Sequence, residues 1–422
     1  MTNPSRHDNK MMDLIRNIVQ QNMWRAGAIA ILRLISVALG LLYVKYYTST
    51  LSIEEVGKFF YLGTMSYILN ALVFVPVDSY MQARLSSLKS LPWPTLRRLV
   101  TATLLIALIA CIILSAPFIS MNLLSRHDIP LLYGLASMLY LCSSIRNLLN
   151  IRGQANFAAS MVVLESGARL LAFVLASMLW KATAQTLLSS SIVALAVEFA
   201  ILIWQAHRSL PLTQEVAPLD NSFHIIRTSA ALAGGAASNT VQLQGYRVLF
   251  PALGHSNTSA VLGVTANIGA VAMSACAQVF SQLFLPRLYQ SQGRSIQQYA
   301  LLATAMISIL LILAMPISTF LVKHLTHSEY IPYAPAIGIG ILIEGCNLLI
   351  GAYSIFLTLR QKVGVLFRTQ LLGAALSLTA CLMLVKFNPQ APLLLGIGIA
   401  LSQLLATALL GIYVYRLKKL EY

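Results

Sequence analysis

The chain reads as an all-α integral membrane protein. Twelve transmembrane helices form two pseudo-symmetric six-helix lobes around a central cavity, with both ends in the cytoplasm. Three observations carry this expectation. Charged residues make only 10% of the chain and hydrophobic ones 58%, whereas a soluble domain holds about 25% charged residues. Apolar runs of about 20 residues, the length that spans a bilayer, recur from one end to the other. Lys and Arg then concentrate in every second connection, as retention of positive loops on the cytoplasmic side requires.

The spans fall near 26–46, 57–81, 99–121, 129–149, 157–179, 186–204, 227–250, 258–285, 298–322, 331–358, 363–385 and 391–415. Of the 29 Lys and Arg, twenty lie at the two ends or in and beside even-numbered connections, six in and beside odd-numbered ones, and three (Arg33, Arg169 and Arg247) are read as charges of the spans themselves. Dropping one helix would invert the sign of every later loop, so the charge pattern tests the count. The net charge of +16 is mostly this topogenic signal and its attraction to anionic headgroups; membrane lipids are expected partners and nucleic acid is not. Before the first span, "MMDLIRNIVQQNMW" (Met11–Trp24) puts Met11, Leu14, Ile15, Ile18 and Val19 on one helical face. That suits a helix on the cytoplasmic interface, with a disordered lead-in as the alternative. No cleavable signal peptide is apparent. Pro76, Pro117 and Pro316 fall inside spans and are expected to kink them. The five cysteines all lie in spans and read as small packing residues, with no disulfide expected.

"QAHRSLPLTQEVAPLDNSFH" (205–224) is the longest cytoplasmic connection. It separates an N-terminal lobe, 1–204, from a C-terminal lobe, 225–422. A faint repeat supports the division: Arg84-Leu85 and Arg287-Leu288 end the second and eighth spans 203 positions apart. Six helices per half imply parallel repeats related by an axis along the membrane normal.

"LSIEEVGKFFYLGTMSYILNALVFVPVDSYMQARL" (Leu51–Leu85) resembles the start of Wzx-type polysaccharide flippases, members of the multidrug/oligosaccharidyl-lipid/polysaccharide exporter superfamily. Leu51, Ser52, Glu54, Glu55, Gly57 and Phe59 match the loop that opens the second helix in that family. The resemblance implies translocation of undecaprenyl-diphosphate-linked sugar repeats across a bacterial inner membrane, by alternating access through a cationic cavity. It also implies a monomeric carrier, with an undecaprenyl-diphosphate-linked glycan as substrate and a polysaccharide polymerase and chain-length regulator as candidate partners.

Charges inside the spans ask for a physical account whatever the family. Arg33, Arg169, Arg247, Glu165, Glu198 and Glu344 each lie within an apolar run. At roughly 2.5–3.5 kcal/mol each near the midplane, the six would cost about 15–20 kcal/mol if exposed to lipid, more than most proteins' stability. They must be paired, hydrated or snorkelling. Arg33, about 10 Å deep at 1.5 Å per residue, is either a snorkelling anchor or a ligand whose fork-shaped donors suit a diphosphate. Glu165 and Arg169, four apart, can pair on one face. Glu198 and Glu344 lack local partners; each is either an ion-coupling carboxylate or the partner of an Arg on another helix.

The seventh span, "AGGAASNTVQLQGYRVLF" (Ala233–Phe250), carries two polar arcs. Ser238, Asn239, Gln242 and Tyr246 form one, and Thr240, Gln244 and Arg247 the other. One helix contact cannot hide both from lipid. The expectation is a cavity wall in which Asn239, Gln242 and Gln244 bond sugar hydroxyls, Tyr246 stacks on a ring, and Arg247 and Arg169 bind anionic groups. Interhelical polar glue is the alternative. Arg247 falls near Lys45 by the repeat offset, which implies a positive periplasmic rim.

Other functions are disfavoured. No Walker motif is present, "KHLTHSE" (Lys323–Glu329) lacks a zinc site's context, and neither metal nor cofactor is expected. "AIGIGIL" (Ala336–Leu342) and "GIGIA" (Gly396–Ala400) are small-residue packing stripes. Short periplasmic loops argue against a polymerase or ligase. A cation-coupled multidrug efflux transporter of the same superfamily is the main rival.

Overall fold

The computed structural model describes the backbone of residues 5–86, 91–210, 212–213, 230–360 and 362–421. Side chains are described from Gly27 onward, with short gaps near the ends of several helices. Among the described residues twelve helical segments follow one another, eleven of them as helices long and apolar enough to span a bilayer. They are α1 (Ser5–Thr50), α2 (Ile53–Leu69, running through a π turn at Asn70–Phe74 into Val75–Ser86), α3 (Trp93–Ser120), α4 (Ile129–Ile151), α5 (Ala155–Leu179) and α6 (Ala184–Ser209). The second set is α7 (Ala230–Gln244, then Tyr246–Ala252), α8 (Ser256–Gln290), α9 (Ile296–Leu325), α10 (Ala336–Leu359), α11 (Val363–Phe387) and α12 (Pro392–Glu421).

Local chemistry sets several boundaries. α1 is continuous through Met11–Trp24 and reaches 46 residues, about 69 Å at 1.5 Å per residue, far beyond a hydrocarbon core of about 30 Å. The lead-in is therefore helical and continuous with the first span. α2 starts at Ser52, whose side chain accepts from the Glu55 amide at 3.3 Å. The π turn lies just before Pro76. Proline offers no amide and its ring crowds the carbonyl four residues back, so the extra residue in that turn is a local accommodation. Gly245 interrupts α7. α6 continues to Ser209, past the expected start of the linker at 205, and residues 214–229 of the connection lie outside the described part. A two-residue parallel pairing, β1 (Leu91–Pro92) with β2 (Leu212–Thr213), ties the start of α3 to the chain after α6.

Within the first six helices, α1 packs on α5 through Ser36 and Ser166 (Oγ–Oγ 2.8 Å) and Tyr46 and Ser177 (2.8 Å). α2 meets α4 where the Phe74 and Tyr140 rings stack at 4.5 Å. In the second six, small residues let backbones touch: Gly340 lies on the Ala266 carbonyl and Gly269 on that of Ile337, joining α8 to α10. Gly396 packs against Ile339 and Leu262. Both glycine stripes thus act in helix packing.

The halves meet along α2, whose π turn and following segment pack on the first part of α7, and at the end that the charge pattern assigns to the periplasm. Val44, Tyr47, Leu51, Val56 and Phe60 share one buried cluster with Val261, Val264, Ile268 and Tyr330. A Cβ on Gly57 would lie 2.9 Å from the Ser256 carbonyl oxygen, and one on Gly263 would lie 2.9 Å from the Phe60 ring. Residues of the "LSIEEVGKFF" loop therefore build the joint between the lobes. Glu55, from the same loop, accepts the Ala184 amide at 2.6 Å within the first lobe and caps α6.

Candidate functional site: a charge cluster in the first lobe and a polar wall on α7

Five charged side chains converge inside the first lobe. Arg146 on α4 donates to Glu165 on α5 at 2.6 Å and to Glu198 on α6 at 3.0 Å. Arg169, one turn beyond Glu165, donates to its other oxygen at 2.6 Å. Glu198 is fully buried, while Arg146, Glu165 and Arg169 keep 19%, 15% and 21% of their side-chain surface. The Glu165–Arg169 pair is as expected from spacing. Glu198 has the interhelical Arg partner that was one of its two readings. That partner, Arg146, belongs in sequence to the basic residues beside a cytoplasmic connection; it sits five residues before the end of α4, deep enough to bridge two acids.

Arg33 completes the group. It stands within electrostatic reach of Arg146 and Glu165. Its Nε is buried and bonds to nothing among the described residues. Three guanidiniums thus face two carboxylates, which leaves the cluster with a net positive charge. Tyr67 and Tyr43 lie beside Arg169. Tyr67 is 40% exposed on a helix whose residues Phe60–Ser66 and Leu69 are all buried. The Tyr67 ring is thus the uncovered part of an otherwise buried stretch of α2, within electrostatic reach of Arg169. Sequence reading missed Tyr67, Tyr43 and Arg146: a tyrosine in an apolar span gives no sign of which way it faces.

The two arcs of α7 part company. Gln242 is fully buried; its Nε2 donates to Ser402 Oγ at 3.3 Å, and Ser377 Oγ donates to its backbone carbonyl at 2.7 Å. Asn239 donates to Asn347 Oδ1 at 3.4 Å, an oxygen that also accepts from Gln403 at 2.9 Å. Asn347 in turn donates to Glu344 at 3.3 Å. This arc fastens α7 to α10, α11 and α12. The expectation that Asn239 and Gln242 bond sugar hydroxyls is corrected in part: in the observed arrangement their amide N–H groups donate to neighbouring helices, while Asn239 Oδ1 and Gln242 Oε1 are buried without a partner among the described residues. Tyr246 is corrected likewise: it is buried and its hydroxyl accepts from Arg247 Nε at 3.0 Å, so its face is not open for stacking.

The other arc looks toward the first lobe. Thr64 on α2 donates to Gln244 Oε1 at 3.4 Å. The Arg247 guanidinium lies 4.4 Å from the Phe60 ring centroid and 5.5 Å from that of Tyr246, with Tyr47 also within electrostatic reach. Half-buried in this aromatic seam, Arg247 does not form a matched rim with Lys45, which is exposed at the end of α1. Glu344 has Asn347 as its hydrogen-bond partner and no ion pair among the described residues.

The architecture is that of known transporters. No family model matches the chain, and no curated protein matches it in sequence. Among solved structures, an outward-facing multidrug resistance MATE family transporter of the MOP superfamily aligns over 94% of this chain and 95% of its own (TM-score 0.61, 14% identity). The lipid II flippase MurJ in an inward closed conformation aligns over 93% and 87% (0.64, 12%). A MOP superfamily transporter from Pyrococcus furiosus aligns over 94% and 95% (0.63, 13%). The chain therefore has the fold of MOP-superfamily transporters, a multi-pass membrane architecture.

Proposed function

We propose that this chain is a flippase that moves undecaprenyl-diphosphate-linked oligosaccharide repeats from the cytoplasmic to the periplasmic leaflet of a bacterial inner membrane. The observation that carries the reading is the surplus arginine of the first-lobe cluster. A half-buried guanidinium without a hydrogen-bond partner among the described residues is a site for an anion, and its planar fork matches phosphate oxygens. In this mechanism Arg33 takes the diphosphate, and Arg169, already held by Glu165, shares the charge. Tyr67, beside Arg169, lines its path. Alternating access opens and closes the seam around Arg247, while Gln244 keeps a polar surface on the moving wall. Glu165, Glu198 and Glu344 are the groups through which an ion gradient would couple.

A second reading, cation-coupled multidrug efflux, is favoured by Glu344, a carboxylate without a cationic partner among the described residues. One experiment separates the two. In cells lacking the gene, undecaprenyl-diphosphate-linked sugars are measured by mass spectrometry, with the leaflet assigned by a membrane-impermeant probe. Cytoplasm-facing accumulation, relieved by the wild type and not by a folded Arg33→Gln variant, supports the flippase. Relief by Arg33→Gln removes the arginine from the site. No accumulation, together with new sensitivity to organic cations, moves the function to drug export.

A further inference from the structure

A second feature of the first lobe is unrelated to the charge cluster. Between α2, α3, α4 and α6 lies a cavity of about 210 Å³ walled by Leu96, Val100, Leu141, Ile145, Phe199 and Ile203. Its mouth is at the start of α3 and the end of α6, the level that the charge pattern places at the cytoplasmic interface. Trp93 and Arg97 stand there, and both also border an adjoining hollow of about 660 Å³ that adds Arg98. His207 packs edge-on against Trp93 with ring centroids 5.7 Å apart. Arg208 lies over Trp204 at 5.6 Å.

This mouth is held by backbone. The β1–β2 pairing joins the residues immediately before α3 to those after α6, and it is the one strand pairing among the described residues. An apolar chamber thus opens beneath a fixed, basic, aromatic threshold. Arg97 and Arg98 are both exposed, free of ion pairs among the described residues, and rooted in the second turn of a 28-residue helix. The sole carboxylate lining the cavity, Asp78, accepts a hydrogen bond from Ser144.

The geometry points to a binding site for one anionic phospholipid of the cytoplasmic leaflet, with an acyl chain in the cavity and the phosphate headgroup on Arg97 and Arg98. The charge complementarity selects an acidic lipid over a zwitterionic one. The chamber's apolar lining selects an acyl-chain lipid over free phosphate. Bound there, the lipid would bridge α3 and α6 and brace the first lobe on its cytoplasmic side. It would leave the seam at the other end free to move.

The test is native mass spectrometry of the full-length protein in detergent, with phosphatidylglycerol or phosphatidylethanolamine of identical acyl chains. The wild type should retain phosphatidylglycerol with about a tenfold or greater preference. Arg97→Gln and Arg98→Gln should each weaken that retention about fivefold, as expected for an arginine near an anionic headgroup. Leu141→Trp, which fills the chamber, should abolish retention while the two exposed arginine changes leave the fold intact. Inorganic phosphate should not displace the lipid. Equal retention of the two lipids, wild-type retention by the double Arg97→Gln/Arg98→Gln variant, or displacement by phosphate alone would each overturn the proposal.

Discussion

Removing Arg146 should destabilise this protein through Glu198 rather than through Glu165. Glu165 keeps Arg169 at 2.6 Å when Arg146 is gone. Glu198 is fully buried, and Arg146 at 3.0 Å is its one ion-pair partner among the described residues. The Cys142 thiol nearby donates to the Leu195 carbonyl at 3.3 Å. Breaking a buried pair by deleting one member typically costs about 3–5 kcal/mol, because an uncompensated charge stays behind. Arg146→Met should therefore lose about that much in equilibrium unfolding from mixed micelles. Glu198→Gln on the same background removes the stranded charge and should recover more than half. The coupling between the two positions should be about 1–3 kcal/mol in a double-mutant cycle, while the Arg146–Glu165 cycle should be weaker. Two results would refute the reasoning: an Arg146→Met protein as stable as the wild type, or a Glu198→Gln change that costs the same with and without Arg146.

Three further outcomes follow from the seam and from α7. Gly57→Val places atoms against the Ser256 carbonyl oxygen, 2.9 Å from even a Cβ. It should hold the lobes apart and raise labelling of a Thr64→Cys reporter by a membrane-impermeant maleimide applied from the periplasm; unchanged labelling would show that the seam tolerates the bulk. Gly373→Ala drives a methyl into the Gln242 amide, 2.6 Å from Nε2, and should cost about 1–3 kcal/mol as overpacking. Gln242→Ala should relieve that cost, and its failure to do so would place the strain elsewhere. Arg247→Gln removes the cation held over the Phe60 ring at 4.4 Å. It should slow flipping in the leaflet assay without lowering the amount of folded protein, whereas loss of folded protein would make Arg247 a purely structural residue.

Eleven of the twelve spans were legible because each is fixed twice, once by apolar length and once by the sign of its connections; the seventh, polar and broken at Gly245, rests on the sign of its connections. The Glu165–Arg169 pair was legible because helical spacing alone brings the two together. Arg146 was not, since an arginine near a helix end looks the same in sequence whether it points to water or back toward Glu165 and Glu198. Position along a helix is a one-dimensional fact, while pairing depends on which way α4 turns its face to α5 and α6. The two arcs of α7 fall between these cases. Their width showed that one contact could not cover both. Which arc would bind the helix's own lobe depended on the glycines opposite it, and Gly373 facing Gln242 is a tertiary fact.

The stretch that carries the family resemblance has a physical role that bears on what it can say. Ser52 caps α2, Glu55 caps α6, Gly57 admits the start of α8, and Phe60 receives both Gly263 and Arg247. Every one of these contacts belongs to the joint between the lobes or to a helix terminus. A sequence pattern confined to such a joint reports on how the lobes pack and not on a substrate. Substrate chemistry has to be sought where charge is left over, and in this chain that is the cluster of Arg33, Arg146, Arg169, Glu165 and Glu198. The joint and the cluster occupy different places in the first lobe, so they can fail separately. A Gly57 variant should stall the cycle with its cargo still bound, and an Arg33 variant should cycle empty. Measuring accumulation of the lipid-linked sugar alongside periplasmic accessibility of the seam distinguishes these two failures. A single phenotype for both variants would mean that the joint and the cluster act as one unit.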